Sequence, residues 1–160
     1  MAWSPNKDVP PPRDHREVVE VPETVTLEPI GWIHSPYTER HGTPRQPVIR
    51  DGGAAVAGVG TVELNPATIP EKALRDIEGF ERIWLLTYLH LNPRWGPLVR
   101  PPRGGGRRGV FATRSPHHPN SIGLSAVELI RQEGTTLHVR GLDLIDGTPV
   151  LDIKPYIPYC

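Results

Sequence analysis

The chain is short of three things: cysteine, long apolar runs and, across one central stretch, acidic residues. Its single cysteine, Cys160, is the last residue, which excludes an intrachain disulfide and a zinc cage built from paired cysteines. No run approaches the ~18 apolar residues that cross a bilayer, and the first residues lack the apolar core of a secretory signal. We therefore expect a cytoplasmic protein with no membrane span and no metal.

The stretch without acidic residues spans residues 82–127 and is called here the arginine segment. It contains no aspartate or glutamate, whereas the rest of the chain carries 11 basic against 18 acidic residues, so the formal net charge of zero hides a local excess. A solvated face is the usual reading of a charge run, but paired surface arginines normally have acidic neighbours. The segment predicts a surface that meets an anion, most simply phosphate. Its arginines are Arg82, Arg94, Arg100, Arg103, Arg107, Arg108 and Arg114.

Proline and glycine are abundant, with 20 and 16 copies, and they interrupt the chain too often for long helices. Residues 1–24 are rich in proline and charge without sustained periodicity, which is typical of a flexible lead-in. Residues 25–160 then form one domain. Short apolar runs between turn signals predict that this domain is mainly β.

The run 82–91 (RIWLLTYLHL) is the most apolar of the chain and predicts a central strand buried on both faces. Further strands are predicted at 25–33, 56–64, 109–113, 122–132, 135–144 and 150–153, with a hairpin at Glu133-Gly134. One short helix is predicted from a capping box, Thr68 with Glu71, to Gly79. The expected fold is a single-domain, mostly antiparallel sheet that curls into a barrel, with one short helix.

Gly104, Gly106 and Gly109 match the spacing of a dinucleotide-binding motif. Such a motif needs a strand before the glycines and a helix after them, whereas here two prolines precede and the strand-like VFAT follows. The interpretation is an arginine-glycine loop suited to phosphate contact through backbone amides and guanidinium groups. Arg100, Arg103, Arg107 and Arg108 are the predicted RNA-binding residues.

Three histidines invite a role. His117-His118 are adjacent on an extended chain and point to opposite sides, which argues against a metal site, while the prolines around them make a rigid turn beside Asn120. His90 ends the apolar run, where it is either a satisfied core residue or a residue at the mouth of a pocket. Asp143 lies inside a predicted strand, where a buried carboxylate needs a partner.

Four strings carry a resemblance to a known family: HSPYTERHGTPRQP, GFERIWLLTYLH, VRPPRGGGRRGVFATRSPHHPNSIGLSAVEL and LDLIDGTPVLDIKPYIPY. In this order they resemble the TsaA (TrmO, YaeB) family. The resemblance implies a β-barrel-like methyltransferase that uses S-adenosylmethionine and works as a homodimer. Its implied substrate is tRNA with N6-threonylcarbamoyladenosine beside the anticodon, methylated on N6.

The resemblance also implies which residues contact the cofactor, all of them in or beside the four strings. It leaves the catalytic base open between His90, His117 and solvent, with Asn120 as a further candidate beside the ligand. The implied cofactor-binding residues are Pro44, Arg45, Gln46, His90, Leu91, Arg114, Leu124, Gly141, Leu142 and Asp143.

The chain departs from the family pattern in places. His118 stands where the family usually has arginine, Ser121 stands where proline is usual, and PPRGGGRR replaces a less basic string. The chain stops at Cys160, whereas longer bacterial members continue into a second small domain. Two alternatives therefore remain open: a non-catalytic barrel that binds RNA or a nucleotide, and a methyltransferase that acts on another acceptor.

Overall fold

The computed structural model describes residues 22–39, 43–44, 58–92, 94–101 and 104–158. Most of the predicted lead-in, along with Arg45, Gln46 and Arg103, lies outside the described residues. Six strands close into a barrel in the order β1-β2-β7-β6-β3-β8, and two short strands, β4 and β5, pair separately. The strands are β1 Gly31–His34, β2 Gly58–Leu64, β3 Arg82–Tyr88, β4 Leu98–Val99, β5 Arg108–Gly109, β6 Ile122–Glu133, β7 Thr136–Leu142 and β8 Pro149–Pro155.

Every pairing around the barrel is antiparallel, which confirms the predicted fold class. The predicted hairpin at Glu133-Gly134 is present as the tight connection between β6 and β7, with Glu133 opposite Thr136. β3 lies between β6 and β8, and β1 closes the barrel by pairing with both β2 and β8. Closure satisfies both edges of the sheet, so the six strands need no protecting helix.

The core fills the inside of the barrel through the two-residue alternation of its strands. In β3 the inward Ile83, Leu85 and Thr87 are fully buried, whereas the outward Trp84 and Leu86 are only half-buried. The expectation that this strand is buried on both faces is therefore wrong. An antiparallel barrel presents one face to the core and the other outward, and here the outward Trp84 ring packs on Tyr156 at 5.1 Å between centroids.

The predicted helix is short and lies where expected, but it is built as two 3₁₀ turns, Glu71–Leu74 and Ile77–Gly79. The predicted capping box is wrong, because no side chain caps either turn. Asn65 takes the amides upstream instead: its side chain accepts from Ala67 at 3.1 Å, and its carbonyl accepts from Ile69 at 2.8 Å. Asp76, at a φ of 67°, separates the two turns and prevents one continuous helix.

Two other predicted strands differ from the structure. The first strand begins only at Gly31; residues 22–29 are exposed, whereas Ile30 packs partly buried against the core. The predicted strand 109–113 is the end of β5 followed by a 3₁₀ turn, Val110–Ala112, because this segment leaves the barrel wall. None of the described helices is long and apolar enough to span a bilayer.

The strand directions divide the connections between the two ends of the barrel. β1, β3 and β7 finish at one end, where Tyr88 lies opposite Ile122 and Leu142 lies opposite Gly58. We call this the loop end, because the connections 35–57, 89–121 and 143–148 all leave from it. The opposite end carries the tight β6–β7 hairpin and the 3₁₀ turns between β2 and β3.

Candidate active site at the loop end

Most of the described residues that the family resemblance assigns to a cofactor lie at the loop end. His90 and Leu91 follow β3, Leu124 lies near the start of β6, and Gly141 and Leu142 end β7. Pro44 is half-buried in the 35–57 connection. That connection is tied to the 143–148 connection, since the Ser35 hydroxyl donates to the Leu144 carbonyl at 2.7 Å and the Asp146 amide donates to the Tyr37 carbonyl at 2.8 Å.

Gly141 forms a β-bulge that redirects the chain at the end of β7. Val59 pairs with Arg140 and Gly58 pairs with Leu142, so Gly141 is an extra residue without a partner on β2. Its φ of 89° lies in the region that glycine adopts without steric cost. A bulge changes which way the following side chains point, and here the following residues are Leu142 and Asp143.

Leu142 and Asp143 play different parts as a result. Leu142 is 1% exposed and belongs to the core, so it presents almost no surface at the loop end. Asp143 is half-buried, and its Oδ1 accepts a hydrogen bond of 2.6 Å from the hydroxyl of Ser125, which is 2% exposed. The expectation that Asp143 lies inside a strand is wrong, since it directly follows β7, but it has the partner that a half-buried carboxylate requires, a serine on the adjacent strand β6.

The electrostatics of Asp143 follow from its surroundings. Burial raises the pKa of the Asp143 carboxyl above its ordinary value, while the Ser125 hydrogen bond, a backbone hydrogen bond and the charge of Arg114 oppose that rise. A carboxylate held at such a balance, at the mouth of a barrel, is typical of a ligand-binding group. It is suited to accept from a hydroxyl or an ammonium group.

Arg114 belongs to the long 89–121 connection, and its side chain contacts the barrel wall at β6. Its guanidinium donates to the carbonyl oxygen of Leu124, and its charge acts on Asp143. The Leu124 and Leu91 side chains are 43% and 61% exposed, so both present apolar surface at this end. The site thus combines one carboxylate, one guanidinium and two exposed leucines, which are the donors and surfaces that a zwitterionic nucleoside needs.

The Asn92 side chain joins the start of the 89–121 connection to its end. Its side-chain amide donates to the Pro116 carbonyl at 2.7 Å and to the Ser121 hydroxyl at 3.3 Å. Its Oδ1 is buried and has no hydrogen-bond partner within the described part of the chain. The two hydrogen bonds of the Asn92 amide fix the turn 116–121, which carries two of the predicted catalytic candidates, His117 and Asn120.

The histidine candidates are now distinguishable. His117 Nδ1 lies 3.2 Å from the Arg94 carbonyl, which only accepts, so Nδ1 carries the proton and Nε2 carries the lone pair in the neutral ring. His90 is exposed one residue past the Leu89 amide that bonds to Ser121. His118 Nε2 donates to the Thr113 carbonyl at 3.1 Å. His117 and His118 are thus each oriented by a contact with one backbone carbonyl, whereas His90 lies exposed at the end of β3.

The β4–β5 ribbon of the arginine segment lies in the 89–121 connection, which leaves the barrel at the same end as this site. β4 and β5 pair as a small ribbon, with Val99 opposite Arg108, and Arg100, Arg107 and Arg108 are all exposed. None of these three arginines forms an ion pair with a carboxylate of the described residues. The glycines between them form a turn, followed by a two-residue strand and not by the helix that a dinucleotide site needs.

Two residues of the site were missed at the level of sequence. Ser125 stands on the inward face of β6 among apolar residues, and a buried hydroxyl there signals a polar partner. Asn92 gives no comparable signal, because its role depends on a turn more than twenty residues away.

Comparisons with known proteins identify the family to which the chain is similar. A family model described as the tRNA-methyltransferase O N-terminal domain matches residues 32–160. The chain is 47% identical over 140 residues to a putative S-adenosylmethionine-dependent methyltransferase, RcsF, of Pseudomonas aeruginosa, covering 85% of this chain and 58% of that protein. It is 44% identical over 141 residues to a tRNA (adenine(37)-N6)-methyltransferase of Escherichia coli K12, covering 83% of this chain and 58% of that protein.

Solved structures give the same result. A crystal structure of TrmO superposes with a TM-score of 0.70 at 44% identity, covering 85% of this chain and 59% of that one. A TrmO structure from P. aeruginosa gives a TM-score of 0.69 at 43% identity, with 85% and 56% covered. The chain thus spans about three-fifths of the length of these relatives. On the family model, the identities and the shared barrel, the chain belongs to the family of the tRNA-methyltransferase O N-terminal domain.

Proposed function

We propose that this domain transfers a methyl group from S-adenosylmethionine to N6 of an adenine next to the anticodon of tRNA. The acceptor we propose is N6-threonylcarbamoyladenosine. The observation that carries the proposal is the buried Ser125–Asp143 pair beside Arg114 at the loop end, from which a ribbon of exposed arginines also leaves. The names of relatives more than 40% identical, which include S-adenosylmethionine-dependent and tRNA (adenine(37)-N6)-methyltransferases, support it.

The residues of the site fit this cofactor. Asp143 offers a carboxylate oxygen for a ribose hydroxyl or for the ammonium group of the methionine part, and Arg114 offers a guanidinium for its carboxylate. Leu91 and Leu124 offer exposed apolar surface for the adenine ring, and Gly141 and Leu142 remain predicted contacts. Pro44, Arg45 and Gln46 remain predicted contacts from the 35–57 connection.

S-adenosylmethionine would supply a methyl group on a positively charged sulfur: the acceptor nitrogen would bond to the methyl carbon as the carbon–sulfur bond breaks, and the sulfur would leave as a neutral thioether. The chain's task is then to align two reactants and to exclude water, which together account for much of the rate in such reactions. The acceptor nitrogen must also lose one proton. His117 is one candidate for that proton transfer, and Asn92 holds the turn on which His117 stands. His90 and Asn120 stay candidates for contacts at the same end.

The arginine segment is proposed to hold the tRNA. Arg100, Arg107 and Arg108 are exposed on the ribbon at the same end of the barrel as the site, and Arg103 lies in the connection between its strands. The planar guanidinium group binds a phosphate through two N–H donors at once. Single-stranded loops present unstacked bases to the protein that binds them. A target base in the anticodon loop is therefore accessible without opening a duplex.

We further propose that the protein acts as a cytoplasmic homodimer. The outward face of β3 and β6 carries apolar side chains that lie opposite one another in two cross-strand pairs, Tyr88 with Ile122 and Leu86 with Leu124. Tyr88, Ile122 and Leu124 are each more than 40% exposed. An apolar strip of this kind beside a site is suited to a second copy of the same chain.

The test is a methyl-transfer assay with labelled S-adenosylmethionine. Two tRNA preparations of the same sequence serve as substrates, one with and one without the threonylcarbamoyl group. The proposal predicts label only in the modified tRNA, at N6. Equal labelling of both would contradict the acceptor, and a protein that binds RNA but not S-adenosylmethionine in calorimetry would be the non-catalytic barrel.

A further inference from the structure

Among the residues that the structure describes, Phe111 is the most exposed large apolar one, with 79% of its surface accessible. It stands at the middle of the 3₁₀ turn Val110–Ala112, directly after the arginine ribbon. Singly exposed aromatic residues are common on protein surfaces and need no explanation by themselves. What distinguishes Phe111 is the way in which it is held and what surrounds it.

The turn that carries Phe111 is rigidly anchored. The neighbouring Val110 is 2% exposed, and its amide donates to the Pro97 carbonyl at 3.0 Å. Thr113 closes the turn twice, through its amide at 3.1 Å and its hydroxyl at 2.8 Å, both to the Val110 carbonyl. A side chain presented by such a turn loses little conformational freedom when something binds to it.

The Phe111 ring is supported on one side by His118. The two ring centroids are 5.7 Å apart with an interplanar angle of 69°, an edge-to-face arrangement. His118 is itself fixed, because its Nε2 donates to the Thr113 carbonyl at 3.1 Å. This contact uses one side of the phenyl ring and leaves most of the ring accessible, in agreement with its exposure.

The surroundings of Phe111 are positively charged. Arg107 and Arg108 precede it and Arg114 follows it, and no acidic residue occurs between positions 82 and 127. A protein partner with a mixed surface would meet no matching carboxylates here to complete its own pairs. A single-stranded nucleic acid offers both parts of the complement, phosphates for the guanidinium groups and a flat base for the aromatic ring.

We propose that Phe111 is a base-stacking residue, which receives an unpaired nucleobase of the RNA substrate while Arg107 and Arg108, which precede it, bind the adjoining phosphates. The inference rests on the proposed function for the identity of that substrate as tRNA. It adds a specific contact: the stacked base is a neighbour of the acceptor, and the contact tolerates any base because every base has a π-face.

The experiment measures binding of a tRNA anticodon stem-loop, at several salt concentrations, by the full chain and by three Phe111 variants. Phe111→Ala removes the ring, Phe111→Leu keeps apolar bulk without a π-face, and Phe111→Trp keeps a ring. Trp32→Ala removes an exposed aromatic residue of the outer wall as a control. A probe with the fluorescent base aminopurine next to the acceptor reports stacking directly.

We expect Phe111→Ala and Phe111→Leu to weaken RNA binding by roughly five- to a hundredfold, and Phe111→Trp and Trp32→Ala to stay near the wild type. The slope of the logarithm of affinity against the logarithm of salt should not change in any of them, because no charge is removed. Aminopurine fluorescence should be quenched by the wild type and by Phe111→Trp only.

Three outcomes would overturn the inference while leaving the proposed function intact. The first is unchanged RNA affinity in Phe111→Ala. The second is full binding by Phe111→Leu, which would show that apolar bulk suffices. The third is dissociation of a dimer by Phe111→Ala in sedimentation, which would place the ring against a second copy of the chain. Absence of RNA binding by the wild type would overturn both proposals together.

Discussion

The two ends of the barrel are made from the same six strands but differ in what they carry. The connection 65–81 at the opposite end contains four acidic and two basic residues, and Arg131 there is paired with Glu133 at 2.6 Å. At the loop end, Arg100, Arg107 and Arg108 have no such partner among the described carboxylates. The opposite end buries Leu74 under its 3₁₀ turns, whereas the loop end leaves Leu91 and Phe111 exposed.

This difference separates the needs of folding from the needs of binding. The opposite end closes the core and compensates its charges locally, which is what stability favours. The loop end keeps the Asp143 carboxylate half-buried and leaves the arginines of the ribbon without acidic partners among the described residues. Neither feature stabilises the fold. Features that stability does not explain are the ones to assign to function, and the half-buried carboxylate and the arginines named above lie at the loop end.

The largest expected effect is on stability, from truncation of Leu74 to alanine. Leu74 is 5% exposed and packs into the core, so its loss should lower the free energy of unfolding by about 2–5 kcal/mol. Affinities for S-adenosylmethionine and RNA should stay the same at temperatures where the variant is folded. Denaturant unfolding and calorimetry check both parts, with Ile130→Ala, a half-exposed strand residue, as the control that leaves stability nearly unchanged. A Leu74→Ala protein that is folded yet deficient in cofactor binding would break the division between the two ends.

The next effect is on cofactor affinity, from Asp143→Ala. Removing the carboxylate takes away an acceptor for a hydroxyl or an ammonium group, which should weaken S-adenosylmethionine binding by roughly ten- to a hundredfold. RNA affinity should be unaffected. Calorimetry measures the cofactor, and Glu133→Ala provides a control that removes a carboxylate of equal charge from the opposite end. Equal losses in the two variants would mean that only net charge matters.

The third effect is a pH shift, from Ser125→Ala. The Ser125 hydroxyl helps to keep the pKa of Asp143 from rising further, so its loss should raise that pKa. Since binding uses the charged carboxylate, cofactor affinity is lost as pH falls through the raised pKa, and the midpoint should move to higher pH in Ser125→Ala. Ser125→Thr, which keeps a hydroxyl, should hold the wild-type midpoint.

The raised pKa of Asp143 also makes the stability of the fold depend on pH, in the direction opposite to that of the cofactor affinity. The pKa of Asp143 is raised in the folded state, so the folded protein binds more protons than the unfolded one between the two pKa values. The contribution of Asp143 to stability is therefore present at low pH and is lost as pH rises through the folded pKa. An affinity midpoint that does not move in Ser125→Ala would show that Asp143 does not take part in binding.

The smallest effect is on RNA binding, from Arg108→Ala. One exposed arginine should contribute a few-fold in affinity, and its removal should reduce the salt slope by about 0.7–0.9. Arg131→Ala, which removes a paired arginine from the opposite end, should leave both quantities unchanged. Filter binding at a series of salt concentrations measures them. Identical slopes for Arg108→Ala and the wild type would place the RNA elsewhere.

Much of the barrel could be predicted from local sequence. β3, β6 and β7 are long, apolar and bounded by turn residues, so their existence follows from pattern alone. The capping box at Thr68, the apolar spacing and Gly79 together predict one continuous helix over 68–79. The structure has two 3₁₀ turns there instead. Asn65, which precedes the predicted helix, accepts from an amide just before it, and Asp76 adopts a left-handed conformation that interrupts it.

The site could be predicted only in part, for a physical reason. The excess of arginine is a property of composition and is visible without a structure. The meeting of Asp143 with Ser125 depends on the pairing of β6 with β7 and on a bulge at Gly141, neither of which local sequence specifies. The exposure of Phe111 likewise depends on its segment leaving the barrel as a turn, where a strand was expected.

The measurement that tests the account most directly is an amide chemical-shift map of the labelled protein titrated first with S-adenosylmethionine and then with tRNA. The account predicts that the cofactor shifts Leu91, Leu124 and the residues from Gly141 to Asp143, and that tRNA then shifts Arg100, Arg108 and Phe111. Shifts that cluster instead around the 3₁₀ turns and the β6–β7 hairpin would show that the functional end of the barrel has been assigned the wrong way round.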